Sequence, residues 1–149
     1  PLDFIEDSAE FNDHPVRKAA EEAVSACYLE PFDIRKDVAT ALGIARVANL
    51  RMNEVEPWAK LEKNTNQKDK KLALRELLVM AEGVRICAVL LSPVTPGLSS
   101  KILAEFGLEE GQLSWKDTAW RWDVIPGLAA GPKPTPVFQR IDLEPWQGK

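Results

Sequence analysis

The sequence predicts an all-α fold, an antiparallel bundle of three long helices and one short one, completed by an extended C-terminal tail. Three observations predict it. Apolar residues recur at spacings of three and four in separate stretches. Each stretch is bracketed by capping residues, prolines or a glycine. No pair of runs alternates apolar and polar residues strongly enough to make a sheet, and there is no internal repeat. With 149 residues, the chain suits one domain. It divides into a lead-in segment at 1–12, the bundle at 13–107 and a Pro/Trp-rich tail at 108–149 that wraps the bundle.

The lead-in is acidic and weakly patterned, as an extended segment would be. Asp13 or His14 then caps a first helix with Pro15 in its first turn, where a missing N–H is harmless. Val16, Ala19, Ala20, Ala23, Val24 and Cys27 follow at helical spacing, and the helix ends near Tyr28, before Pro31. Asp33 offers a carboxylate to the free N–H groups of a second helix. Its apolar line runs from Val38 through Ala41, Leu42 and Ala45 to Met52 and Val55, and Pro57 stops or kinks it after Glu56. Lys60 to Lys71 reads as a solvated polar connection. A third helix, about Asp69 to Leu91, is apolar almost all round in its second half, which makes it the central helix, ended by Pro93. Thr95 and Pro96 start a short fourth helix that Gly107 stops in the left-handed conformation. Beyond it Trp115, Trp120 and Trp122 give way to Pro126, Pro132, Pro134 and Pro136, a pattern too rich in proline for helix.

Composition excludes several functions. Apolar residues make up 45% and charged residues 28%, so the chain folds rather than stays disordered. A net charge of −4 argues against binding nucleic acid chiefly by neutralising phosphates; any such contact must rest on local features. Cys27 and Cys87 lie far apart with only His14 to help, which excludes a zinc or redox motif and suggests two small buried hydrophobes. Sparse cysteine also fits a reducing, intracellular setting, the cytoplasm or an organelle such as a mitochondrion or chloroplast. The longest apolar run, Ile86 to Leu91, falls far short of the roughly 18 to 20 residues that cross a bilayer, so no membrane role is expected. The first residue is Pro1 rather than methionine, and the start reads as a cut.

Catalysis fails by elimination. There is one histidine, His14, and no nucleophile elbow, metalloprotease, dinucleotide or phosphate-loop spacing, so no catalytic residue, metal or cofactor is expected. His14 reads as a surface or capping residue. The adjacent pairs Glu21–Glu22 and Glu109–Glu110 point in different directions and read as solvated faces. The informative segment is Asn49-Leu-Arg-Met-Asn-Glu-Val-Glu-Pro-Trp58, where a polar helix end meets a proline and a large ring, with Lys60 just beyond. An indole there can stack on an unpaired base, and asparagine amides at 49 and 53 can both donate to and accept from base edges. On residues alone, tryptophans beside helix ends more often close a core.

A resemblance shifts that balance. From the second helix onward the chain resembles the anticodon-binding domain of methionyl-tRNA synthetases, which are class I enzymes. Ala48-Asn49 leading to Glu54-Val-Glu-Pro-Trp58 is similar to the family's asparagine, acidic helix end and Ala-Pro-Trp. Leu91-Ser-Pro-Val-Thr-Pro96, Ile102 to Leu108, and Pro134-Thr-Pro-Val-Phe-Gln-Arg-Ile141 resemble further family motifs in the same order. The resemblance implies that Trp58 stacks on the first anticodon base, that Pro57 fixes its loop, and that Asn49, Asn53 and Lys60 flank it. The family commonly has an aspartate where Asn53 stands, and loss of that charge eases the approach of phosphate. The family's catalytic signatures and its first bundle helix have no counterpart in these residues, while Arg121-Trp-Asp-Val-Ile-Pro126 is longer than expected. The implied partners are the anticodon loop of tRNA(Met) and a synthetase catalytic domain, in cis or in trans. Two alternatives stand beside this: a subunit of a larger ribonucleoprotein such as an organellar ribosome, or an assembly domain using Trp120 and Trp122. For those tryptophans the simpler reading is that they pin the tail to the bundle.

Overall fold

The computed structural model describes residues 11–29, 33–61, 66–108 and 114–121. Helix α1 (Pro15–Leu29) is followed by α2 (Ile34–Val55), the single turn α3 (Pro57–Lys60), α4 (Gln67–Leu91) and α5 (Pro96–Glu105), then a 3₁₀ turn at Trp115–Thr118. The described residues contain no strand, and the fold is an all-α bundle. Helices α1, α2 and α4 pack on one another, while α3, α5 and the 3₁₀ turn each pack on α4.

Local chemistry sets the helix limits. Asp33 accepts from the N–H groups of Arg35 and Lys36 at 3.0 and 3.1 Å, which fixes the start of α2. At its other end Glu56 adopts φ 45° and ψ 58°, the left-handed conformation, and its N–H donates to Met52. Pro57 explains the change: its ring disfavours right-handed helix at Glu56, yet Pro57 itself sits comfortably as the first residue of α3. The chain therefore turns sharply instead of fraying. Gly107 ends the α5 region with φ 71°.

Helix α4 is the central one. Residues buried around most of its circumference include Ala73, Leu78, Val79, Met80, Ile86 and Cys87. Of these, Val79, Met80, Ile86 and Cys87 meet Val16, Ala20 and Ala23 of α1 and Ala41, Ile44 and Ala48 of α2 in one core. Gly83 marks the closest approach, because a Cβ there would lie 2.4 Å from Val16 Cγ1 and 3.3 Å from Ile44 Cγ2.

Several expectations are corrected. The polar connection from Lys60 to Lys71 is shorter than expected, since Asn66 accepts from the N–H of Asp69 at 2.8 Å and starts α4 at Gln67. Thr95 precedes α5 without capping it by its side chain, because its hydroxyl donates back to the Leu91 carbonyl at 3.3 Å. Cys87 is buried, and burial raises its thiol pKa to about 11, but Cys27 is only half-buried. His14 caps α1 through Nδ1, which accepts from Val16 N–H at 3.2 Å, yet it is buried rather than on the surface. The expected lead-in lies outside the described residues except for Phe11 and Asn12, and so does the tail except for Leu108 and residues 114–121. Trp122, the 121–126 insertion beyond Arg121, and the motif at 134–141 are outside them as well.

Candidate functional site

The left-handed turn at Glu56 projects the chain from the end of α2 into α3, which packs on α4. Within α3, Pro57 is buried and Trp58 is 53% exposed. The division of labour is physical: the proline anchors the turn from inside, and the indole beside it keeps much of its surface in water. A half-exposed indole is a flat apolar platform, and burying it against another ring recovers hydrophobic area. Asn49 and Asn53 are both exposed and lie one turn apart on α2, and Lys60 closes α3, half-buried. The structure thus brings the two amides onto one helix surface that leads into the turn bearing Trp58.

Beneath this end of the bundle lies an ionic cluster. Arg51 of α2 donates to the Glu76 carboxylate through Nε at 3.0 Å and through Nη2 at 2.6 Å, a bidentate pair. His14 Nδ1 already accepts from Val16, which assigns its proton to Nε2, and Nε2 lies 3.0 Å from Glu76 Oε2. One buried carboxylate on α4 therefore ties α1 and α2 together. Burial pushes the Glu76 carboxyl up, but hydrogen bonds from His14 and Arg51, together with the Arg51 charge, outweigh burial and hold it at about 2. Arg51 also approaches Glu54 at 3.6 Å. A recess of about 360 Å³ opens beside the cluster, lined in part by Phe11, Arg51, Leu72 and Glu76.

A second buried pair holds the residues after α5. Glu82 and Arg85 pair through two 2.7 Å hydrogen bonds, wholly inside the protein. Arg85 also donates to the carbonyls of Asp117 and Ala119, and the N–H of Arg121 donates to Glu82 at 2.8 Å. Trp120 packs against the core with the Arg17 guanidinium 5.7 Å from its ring centroid. Trp120 is thereby a pinning residue. An apolar groove of about 290 Å³ runs beside it between α1, α4 and the 3₁₀ turn. Among the described residues no cluster of His, Cys, Asp and Glu could hold a metal, and no helix is long and apolar enough to cross a membrane.

Sequence reasoning singled out Trp58, Asn49 and Asn53, which the structure leaves exposed, but missed Glu76, Glu82 and Arg85. Their local signal is slight. Charged residues on a mainly apolar helix read as its solvated edge, and only the folded chain shows that their partners come from positions 14, 51 and 117–121.

No protein-family model matches this chain, and no solved structure does. Curated relatives do. Over 107 residues the chain is 33% identical to the chloroplastic/mitochondrial methionine–tRNA ligase of Arabidopsis thaliana, covering 70% of this chain and 17% of that protein. A methionine–tRNA ligase of Listeria innocua is 34% identical over 98 residues, which is 64% of this chain and 14% of its own length. The methionine–tRNA ligase of Salinibacter ruber is 26% identical over 154 aligned positions, covering 93% of this chain and 20% of the relative. The chain spans less than a third of each of these proteins.

Proposed function

From a chain homologous to one stretch of methionine–tRNA ligases, we propose a synthetase-derived domain that docks the anticodon loop of tRNA(Met) and leaves chemistry to a catalytic domain elsewhere. Trp58 supplies the stacking face, Pro57 holds the turn, and Asn49 and Asn53 hydrogen-bond to base edges, with Lys60 at the margin. The observation that carries this reading is the exposure of Trp58, 53%, where Trp120 is packed on the core. A ring committed to closing the core would not leave half its surface in water.

Stacking contributes about 1 to 3 kcal/mol per base, so one ring gives weak binding by itself and the flanking amides must add to it. The test is titration of a fluorescently labelled tRNA(Met) anticodon stem-loop with the full chain at low salt, read by anisotropy. Trp58→Ala should weaken binding by about 5-fold to 150-fold, and a loop with a changed first anticodon base should bind less well than the CAU loop. Equal affinity of the wild type and Trp58→Ala, or no binding by either, refutes the reading.

A further inference from the structure

Helix α2 has an outward face that the stacking site does not account for. Its inward side is defined by Ala41, Ile44, Ala48 and Val55, all buried. At about 100° per residue the opposite side carries Arg35, Ala39, Leu42, Arg46, Leu50 and Asn53, with Asn49 at its edge, and every one of these is exposed. That side holds no carboxylate. The acids of the helix fall elsewhere: Asp37 is half-buried on the inward side, and Glu54 lies toward Arg51. In a chain of net charge −4, a helix face with two arginines, two amides and no acid is a local reversal of the overall sign.

Arg46 is the centre of this face. The four positions that adjoin it on the helix surface are Leu42, Gly43, Asn49 and Leu50, all uncharged, so nothing on its own helix competes for the guanidinium. It makes no ion pair among the described residues. Gly43, one turn before it, has no atom within 4 Å of the place a Cβ would take, so the surface beside Arg46 is open to a bulky group. Asn53 lies seven residues further on, about 10.5 Å along the axis, and the turn to Trp58 follows directly.

We propose that this outward face of α2 is a backbone track for the same RNA, with Arg46 holding a phosphate while Asn49, Asn53 and Trp58 engage bases. The inference rests on the RNA-binding reading above and adds to it the residue that grips the strand. Charge complementarity selects the occupant: an exposed arginine, flanked by apolar Leu42 and Leu50 and by amides, matches a phosphodiester between sugar and base. It also reconciles an acidic protein with an anionic ligand, since the contact is local.

Counterion release makes the proposal measurable, because each phosphate neutralised on a single strand adds about 0.7 to the salt slope of log affinity. Binding of the anticodon stem-loop is measured by anisotropy from about 50 to about 200 mM salt for the wild type, Arg46→Gln, Arg46→Lys and Trp58→Ala, each checked for an unchanged thermal melt. Arg46→Gln should bind more weakly, with a slope shallower by about 0.7, so that the wild type loses about 2.6-fold more affinity than the variant across that range. Arg46→Lys should keep the wild-type slope, and Trp58→Ala should weaken binding with its slope unchanged. If Trp58→Ala is impaired while Arg46→Gln keeps the wild-type slope, this inference fails and the stacking site stands. No binding by the wild type refutes both. RNA binding and salt slope unchanged in both Arg46→Gln and Leu50→Asp would overturn the assignment of this face to RNA.

Discussion

Replacing Glu76 with glutamine tests whether one carboxylate ties together the end of the bundle beneath Trp58. The folded carboxyl sits at about 2 against an ordinary value of 4.5, and that difference corresponds to about 3 kcal/mol of stability. Because the folded value lies below the unfolded one, the contribution is complete above about pH 4.5. It is lost progressively as pH falls through about 2, below which the carboxyl is protonated in both states. Glutamine keeps the shape and can still accept a hydrogen bond from His14 Nε2 or Arg51, but it carries no charge.

Two results follow for Glu76→Gln. At neutral pH its melting temperature should fall by about 6 to 12 °C, from about 3 kcal/mol and about 2 to 4 °C per kcal/mol for a domain of this size. The difference between wild type and variant should then shrink between about pH 5 and about pH 2, because acid removes from the wild type what the substitution removed already. Urea midpoints followed by far-UV circular dichroism across that range give both numbers, and other carboxylates cancel in the difference. Parallel pH curves would refute the reasoning, since they would mean that Glu76 gains nothing from His14 and Arg51 on folding.

Two further outcomes follow from the packing. Gly83→Ala puts a methyl 2.4 Å from Val16 Cγ1, on a side chain with 0% exposure and nowhere to move; overpacking of about 1 to 3 kcal/mol should exceed the helix-propensity gain of about 1, so the urea midpoint falls, and a stabilised variant would contradict the close packing. Arg85→Leu strands the buried Glu82 carboxylate and removes the donors to the 117 and 119 carbonyls; a loss of about 3 to 5 kcal/mol in denaturant unfolding is expected, much of it recovered when Glu82→Leu is added, and no recovery would show that the pair does not act as a unit.

Most of the helical frame was legible because its signals are local. Asp33 acts through its carboxylate on the N–H groups of Arg35 and Lys36, Pro15, Pro96 and Gly107 act through their own backbone geometry, and the structure places helix limits within a residue or two of them. The turn at Glu56–Pro57 was half legible: the proline announces a break, but α3 depends on Glu56 accepting a left-handed conformation that a non-glycine residue rarely adopts. Thr95 illustrates a competition the sequence does not resolve, because a hydroxyl between two helices can serve either, and here it turns back to Leu91. The exposure of Trp58 depends on how α3 lies on α4, which no local pattern encodes. Glu76, Glu82 and Arg85 were illegible for a related reason, as their meaning lies in partners far along the chain.

Those buried charges bear on where Trp58 sits. Apolar helix faces pack in several registers at similar energy, since one methyl group serves nearly as well as another. A bidentate pair does not tolerate such shifts. Rotating α2 by one residue, about 100°, would carry Arg51 away from Glu76 and leave a carboxylate with 5% exposure without its cation. The Arg51–Glu76 contact thus fixes α2 in rotation and height against α4. Trp58 lies seven residues after Arg51, across one turn of defined geometry, and α3 rests on α4 in its own right. The position of the exposed ring is therefore set from two sides, by a charge pair at the last turns of α2 and by the seating of α3. The base-stacking role proposed for Trp58 needs that fixity, because the stacking gain is small and is lost if the ring must first be ordered.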